Sequence, residues 1–412
     1  MLVENIFMEL RSRLRSCNVY ITTNVDFKKD CNLKISIQSN CIVLNYYDND
    51  ETMKRRDSLS SIESLSDFSE DESDVTCIIP IQEFCFIIPN SMSCLKIEKN
   101  TISFRILTEP KKGGSFYTEF ISAAAAENKE IKVEKLNTNL KLDDEVKFAC
   151  ANCSNVISNN FVKFNRILEL PSTNLDMSEW FCHGNGHGHS HDVLKPNKLD
   201  FLYRLTFFVV NSNILSEMSN KFNSKRTVYH CNRCLAWLGL KSKDTVKLYN
   251  ADVKIHNNNM EKHVFSHKNP LHNISTDDFI YTIESMTREF NLGLQYTMMC
   301  KIILECTISD AKKQYLLIWV MDRELQVLRN IENHKQSDRI LLQSSLLTKI
   351  LYKIESELTN EVESWLSDPT VVSTDISKSM FCHGVSHLEH MSLKVPECFR
   401  YTNGYCVSYL KA

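Results

Sequence analysis

The sequence predicts an α+β protein in three consecutive parts: a β-rich N-terminal domain over 1–149, a middle region over 150–250 and an α+β C-terminal domain over 251–412. Three observations carry this reading. Short apolar runs recur at close spacing through residue 106 with no convincing helical period among them, the pattern of a β-sandwich or barrel-like domain. Two Cys-x-x-Cys turns, Cys150–Cys153 and Cys231–Cys234, bracket most of the middle. Beyond residue 276 the apolar spacing lengthens to that of amphipathic helices, interrupted by strands.

Taken in order, Asn18–Asn24, Leu33–Gln38 and Cys41–Tyr47 read as strands, the second alternating apolar and polar as a half-buried strand should. Residues 48–75 change character. Asp48-Asn-Asp-Glu51 leads through Met53-Lys-Arg-Arg-Asp-Ser58 into Ser- and acid-rich sequence. Few large apolar groups are available there to offset ordering entropy, which predicts a disordered insertion. Ser58 and Ser69 are candidate phosphate acceptors; a solvated loop without a switch is the plain alternative. Strands resume at Val75–Pro80, Glu83–Ile88, Cys94–Glu98 and Thr101–Ile106. A turn at Lys111–Gly114, a short helix or loop at Ala123–Ala126 and a charged connector, Lys129–Asp144, follow.

In the middle region, Val162–Pro171 reads as a strand ended by proline and Leu199–Val210 as one strand against the core; Leu235–Gly239 returns the chain to that core. In the last part, Thr276–Phe290 reads as a helix capped by Thr276. Strands are expected at Tyr296–Ile308, Gln314–Met321 and Gln326–Leu328. Helices are expected at Leu341–Leu366 and Ser377–Leu393, and a closing strand at Tyr405–Leu410.

Composition narrows the chemistry. A formal charge of −3 over 412 residues gives no global field to recruit nucleic acid or an anionic membrane, so direct binding to either is not expected. No apolar run approaches the roughly 18 residues that span a bilayer. Met1-Leu-Val-Glu-Asn-Ile-Phe7 lacks a signal peptide's basic start and long apolar core, so a reducing compartment is expected. The 16 cysteines are then thiols or metal ligands, not disulfides, and most sit in apolar runs as small core hydrophobes. No phosphate loop, Gly-x-Ser-x-Gly, dinucleotide fingerprint or His-Glu-x-x-His occurs.

The Cys-x-x-Cys pairs are the strongest chemical signal. Zinc favours four thiolates in a tetrahedron, and each turn places two sulfurs on one side of an ion. The 77 residues between the pairs, 154 to 230, exceed the roughly 15–20 of a compact ribbon. Cys150, Cys153, Cys231 and Cys234 are therefore expected to clamp one structural zinc across an insertion. The alternative is two unrelated turns with buried thiols.

Between the pairs lies Trp180-Phe-Cys-His183, followed by His187, His189 and His191 among glycines. Three readings stay open on chemistry alone. Cys182 and the histidines form a second zinc site; the loop offers Cys182 and His183 to a partner's metal; or the tract binds metals loosely without a fixed role. Cys382-His383-Gly384 echoes Cys182-His183-Gly184. Its neighbours Met380, Phe381, Val385, Leu388 and Met391 recur at helical spacing, which favours a core helix with one cysteine inward.

The order of these features resembles the HECT-like, ubiquitin-conjugating-enzyme-binding ubiquitin ligase family. The resemblance rests on Cys150/Cys153, Leu170-Pro-Ser172, Trp180-Phe-Cys-His183, Cys231/Cys234 with Leu238-Gly239, Tyr315-Leu-Leu-Ile-Trp319 and Leu410-Lys411. It covers nearly all the chain after residue 75. It implies a ubiquitin-protein ligase of the cytoplasm and nucleus, with a ubiquitin-conjugating enzyme, ubiquitin and substrates such as mitotic cyclin as partners and proteasomal degradation as the outcome. It also implies a link to pre-mRNA 3′-end processing. There the Trp-x-Cys-His segment resembles a motif that enters and blocks the cleavage endonuclease, with Cys182 on the nuclease's zinc and Trp180, Phe181 and His183 contacting it. The histidine run after His183 and the 48–75 insertion depart from the family. No residue of this sequence stands out as a catalytic thioester cysteine.

Overall fold

The computed structural model describes residues 3–27, 32–47, 74–111, 138–170, 198–216, 228–257, 260–265, 273–291, 299–309, 312–331 and 340–411. It divides into two compact units, each drawn from separate stretches of chain. One comprises Met1–Ile131, Arg323–Thr348 and Leu393–Tyr401; the other Lys132–Asp322, Lys349–Ser392 and Thr402–Ala412. Among the described residues the fold is β-rich, with three α-helices, none long and apolar enough to cross a membrane.

The first unit opens with β1 (Val3–Arg11), which turns at Arg15, a residue in the left-handed region, into β2 (Ser16–Thr23). Then come β3 (Asn32–Ile37), β4 (Cys41–Tyr47), β5 (Asp74–Pro80), β6 (Phe86–Ile87), β7 (Ser93–Glu98) and β8 (Thr101–Glu109). β5 begins at Asp74, so the expected insertion loses its last two residues to a strand; residues 48–73 lie outside the described ones. The β1–β2 hairpin pairs Met8 with Val19, and β2 pairs with β8 through Val19 and Phe104. β3, β4 and β5 form a separate antiparallel sheet. Inward residues of both sheets share one core: Ile6, Met8, Val19, Ile21, Ile102 and Phe104 with Ile42, Leu44 and Ile79. Two sheets closed over their alternating apolar faces are what the period-two pattern requires. β1 was missing from the expected strands.

In the second unit, β9 (Lys147–Cys150) leads into β10 (Arg166–Glu169), β11 (Asp200–Tyr203), β12 (Phe207–Asn211), β13 (Val228–His230), β14 (Trp237–Ser242) and β15 (Thr245–Tyr249). After these come β16 (Val253–Asn257), β17 (Met260–His263), α1 (Ile274–Phe290) and β18 (Cys300–Ser309). β19 (Lys312–Asn330) and β20 (Leu342–Glu355) each run through both units. The chain ends with α2 (Asn360–Ser367), β21 (Val372–Asp375), α3 (Lys378–Ser392), β22 (Tyr401–Thr402) and β23 (Tyr405–Lys411).

Two cores lie in this unit. The first packs the six-stranded sheet β10-β11-β12-β15-β14-β13 with the three-stranded sheet β17-β16-β9. Its centre is a nest of aromatic rings: Phe148 lies 5.3 Å from Phe208, and Phe201 lies 4.8 Å from Phe208. The second packs α1 and α3 on β18, with Phe279, Ile283, Leu304, Phe381 and Leu388 buried.

Several expected boundaries move. Leu199–Val210 is two strands, β11 and β12, because the chain reverses where the Arg204 N–H donates to Phe207 O at 2.8 Å. α1 starts at Ile274, and Asn273, not Thr276, is its cap: Asn273 Oδ1 accepts from the Thr276 N–H at 2.9 Å. The helix expected at Leu341–Leu366 is β20 followed by α2, capped by Thr359. The two strands expected at Gln314–Leu328 are the single β19. α3 matches its expected span closely. Its Gly384 is a packing position, since a Cβ there would overlap the Phe279 ring of α1. Cys382, however, is exposed, so the expected inward cysteine points outward instead; the buried row is Met380, Phe381, Gly384, Leu388 and Met391.

Candidate metal centre

The two Cys-x-x-Cys turns fold by the same local rules. β9 ends at Cys150, whose N–H donates to Asn155 O at 2.9 Å, while the Ser154 N–H donates back to Cys150 O at 2.8 Å. In the second turn the Cys231 N–H donates to Ala236 O at 2.9 Å and the Leu235 N–H to Cys231 O at 3.0 Å. The residue after the second cysteine is left-handed in both, Ser154 at φ 55° and Leu235 at φ 61°. That conformation costs a non-glycine residue roughly 1–2 kcal/mol. It turns the chain sharply enough to bring both sulfurs of a pair to one side.

Each turn is anchored in its own sheet, and the core the two sheets share brings the turns together. β9 pairs with β16 through Cys150 and Val253, and β13 pairs with β14 through His230 and Trp237 across a bulge. The turns also brace each other. The Arg233 guanidinium reaches Cys153 O at 3.5 Å, and the Asn152 amide donates to the Cys234 sulfur. Each bracing residue stands just before the second cysteine of its own turn.

The four sulfurs lie within 4.8 Å of one another, and the Cys150–Cys234 and Cys153–Cys231 pairs are 3.6 Å apart. Four sulfurs bound tetrahedrally at about 2.3 Å stand about 3.8 Å apart. The donor set therefore has the identity, number and near-tetrahedral closeness that a metal ion needs. Cys150 and Cys231 are buried, Cys153 and Cys234 half-buried.

Electrostatics point the same way. Burial pushes the Cys150 thiol well above its ordinary value and raises Cys153 as well. Burial also opposes ionisation of Cys234, but the Ala236 N–H, the Asn152 amide and the Cys153 and Cys150 thiols donate to it and lower it to about 6. Cys234 is thus favoured as a thiolate, while Cys150 and Cys153 hold their protons. Four thiolates so close need a cation among them, and metal binding releases the remaining protons.

The centre is wired to the helix pair. The Ala151 N–H donates to Asp252 O at 2.9 Å. The Asp252 carboxyl accepts a bond from Ser377, whose hydroxyl caps α3 by accepting the Met380 N–H at 3.1 Å. Burial raises Asp252 to about 7. Beside it, Asp375 pairs with Lys247 and receives the Tyr249 hydroxyl at 3.3 Å.

The structure thus brings together Cys150, Cys153, Cys231 and Cys234, the four predicted clamp ligands. Trp180, Phe181, Cys182 and His183 lie outside the described residues, as do His187, His189 and His191. Among the described residues no other group of three or more candidate ligands converges. Buried thiols elsewhere are inert core: burial pushes Cys85 and Cys77 each up to about 11. Asn152, Arg233, Asp252 and Ser377 were not singled out from sequence. The position of Asn152 and Arg233 inside the turns was the only signal for two of them; Ser377 stood only as the start of an expected helix, and Asp252 carried no signal.

Comparison with known proteins gives these residues a context. The family described as "HECT-like Ubiquitin-conjugating enzyme (E2)-binding" matches residues 9–407. A protein of Pongo abelii named as an E3 ubiquitin-protein ligase is 23% identical over 312 residues, covering 68% of this chain and 76% of its own. One of Rattus norvegicus with the same name is 25% identical over 264 residues, covering 60% and 66%. No solved structure matches.

Proposed function

The chain belongs to the HECT-like ubiquitin-conjugating enzyme (E2)-binding family, and from that premise we propose that it is a ubiquitin-protein ligase that takes ubiquitin from a conjugating enzyme. The observation that supports this most is the extent of the family match, residues 9–407, together with the name shared by both relatives. Substrates of the cyclin type, marked for proteasomal degradation, belong to the same reading.

The ion of the four-cysteine centre is zinc in this reading. Cys150, Cys153, Cys231 and Cys234 would hold it, and the bound ion supplies four strong bonds that fix the two turns. Four protein thiolates close the coordination sphere, so the role is structural. Asn152 and Arg233 orient the turns; Asp252 and Ser377 carry their position to α3.

The test is reconstitution with activating enzyme, a panel of conjugating enzymes, ubiquitin and ATP. Ubiquitin chains that appear only when the chain is added are the expected result. A ubiquitin adduct removed by thiol reductant would assign a thioester route; transfer without it assigns a scaffold. No transfer with any conjugating enzyme, and no binding to any, overturns the proposal.

A second reading is favoured by Trp180-Phe-Cys-His183. There the chain is a non-catalytic inhibitor or assembly factor of the zinc-dependent pre-mRNA 3′-end cleavage endonuclease, with Cys182 as ligand to the nuclease's zinc. A thiolate is a soft, strong zinc ligand, and the glycines that follow it, Gly184, Gly186 and Gly188, suit a narrow cleft.

A further inference from the structure

The two turns of the metal centre are alike in backbone and unlike at one side chain. The left-handed position after the second cysteine suits glycine or asparagine. The first turn places Ser154 there, whose hydroxyl bonds to Glu261. The second places Leu235, a bulky apolar residue 54% exposed at a φ of 61°. Its backbone is fixed at both ends. The N–H donates to Cys231 O at 3.0 Å, and the carbonyl lies 3.1 Å from His230 Nδ1. The backbone is locked and the side chain stands in solvent. Neither packing nor backbone preference selects leucine at this position.

Its neighbours have the composition of a recognition anchor. Asn232 and Arg233 are exposed beside it. Trp237, two residues on, is half-buried, with its indole N–H on Gly239 O at 2.9 Å and its ring 6.0 Å from His230. Aromatic and arginine side chains dominate binding hot spots, and an anchor held rigid before contact loses little entropy on binding. Four cysteines and two cross-braces supply that rigidity.

We infer that the tip of this second turn, Leu235 with Arg233 and Trp237, is the surface that docks the ubiquitin-conjugating enzyme. The choice of occupant rests on the proposed function and on the family's description as binding that enzyme. Among the described residues Leu235 is the one large apolar side chain at a positive φ, and it is exposed on a loop braced by four cysteines. Leu235 inserts into an apolar depression of the enzyme, and Arg233 meets carbonyl or carboxylate oxygens at its rim.

The experiment compares the full-length wild-type chain with Leu235→Gly and Leu235→Asn, loaded with zinc. Both substitutions suit a left-handed backbone, so neither disturbs the turn. Calorimetric titration against a panel of recombinant ubiquitin-conjugating enzymes is expected to show Kd raised at least tenfold in both variants, with metal content and Tm not reduced. Wild-type affinity in both variants overturns the inference while leaving the ligase reading intact. Lost affinity for free ubiquitin, with binding to the conjugating enzyme unchanged, overturns it too, because the tip would then be a ubiquitin site. A wild-type chain that binds no conjugating enzyme removes both this inference and the function on which it rests.

Discussion

Replacing Cys231 by serine removes one of the four ligands without changing the side chain's size. Cys231 is fully buried. A hydroxyl is a poor ligand for a soft site, so a bound ion would keep three thiolates at most. Two losses add. A buried hydroxyl without a partner costs about 1–3 kcal/mol. Weakened metal binding costs more, because binding free energy at such a site is folding free energy, about 10–16 kcal/mol in isolated zinc-finger peptides. A total of several kcal/mol is expected. In a unit of this size each kcal/mol lowers Tm by roughly 2–4 °C, so a fall of about 10 °C or more should be seen. The control is Cys85→Ser, an equally buried thiol in the other unit, which bears only the hydroxyl loss. Elemental analysis should find about one zinc per wild-type chain and little in Cys231→Ser. A wild-type chain without metal, or equal Tm shifts for Cys231→Ser and Cys85→Ser, would refute the reasoning.

Asp252 has its pKa raised by burial from 3.8 to about 7, so the folded chain holds a proton that the unfolded chain has released. Stability therefore falls as pH rises from about 4 to 7 and is level above that. Asp252→Asn should remove this slope and raise stability at pH 8 by at most about 4 kcal/mol, with no gain at pH 3; denaturant titration at both pH values checks it. Gly384→Ala forces a Cβ into the Phe279 ring and should cost about 1–3 kcal/mol, read as a lower Tm with unchanged metal content; an unchanged Tm would mean that α1 and α3 can part freely. Cys182→Ser should abolish capture of the purified 3′-end endonuclease while zinc content and Tm stay at wild-type values; undiminished capture with lost ubiquitin transfer would make Cys182 a nucleophile instead.

The four-cysteine cluster was legible because its chemistry is specific. Only cysteines at that spacing put paired sulfurs on one side of an ion, and Cys150, Cys153, Cys231 and Cys234 needed no knowledge of the fold between them. The strands of the first unit were legible for a similar reason: Leu33–Ile37 alternates because only one of its faces is buried. β20 was not. Its apolar groups at Leu342, Leu346, Leu347, Ile350, Leu351 and Ile354 mimic a helical stripe, and lying between β19 and β23 in its sheet overrides that local preference. The composition of the two units was hidden too, since strands such as β19 and β20 carry no mark of passing from one to the other. The links from Asp252 to Ala151 and Ser377 depend on register between distant strands, and no local pattern encodes register across a chain reversal.

The long spacer explains why a metal suits this place. Closing 77 residues instead of roughly 17 adds only about 1.3 kcal/mol of loop entropy, because that cost grows with the logarithm of length. The stretch between the turns is also not idle: β10, β11 and β12 lie in it, and it delivers Phe164, Phe201 and Phe208 to the core beside Phe148. Those rings already draw β9 toward the six-stranded sheet, so the sulfurs meet after the entropy of closure has been offset by apolar burial. A bound ion would then fix what the core has brought near. Its specific contribution would be to hold the two tight turns and their exposed tip in one conformation. Metal removal should for that reason weaken docking to a conjugating enzyme before it unfolds the aromatic core.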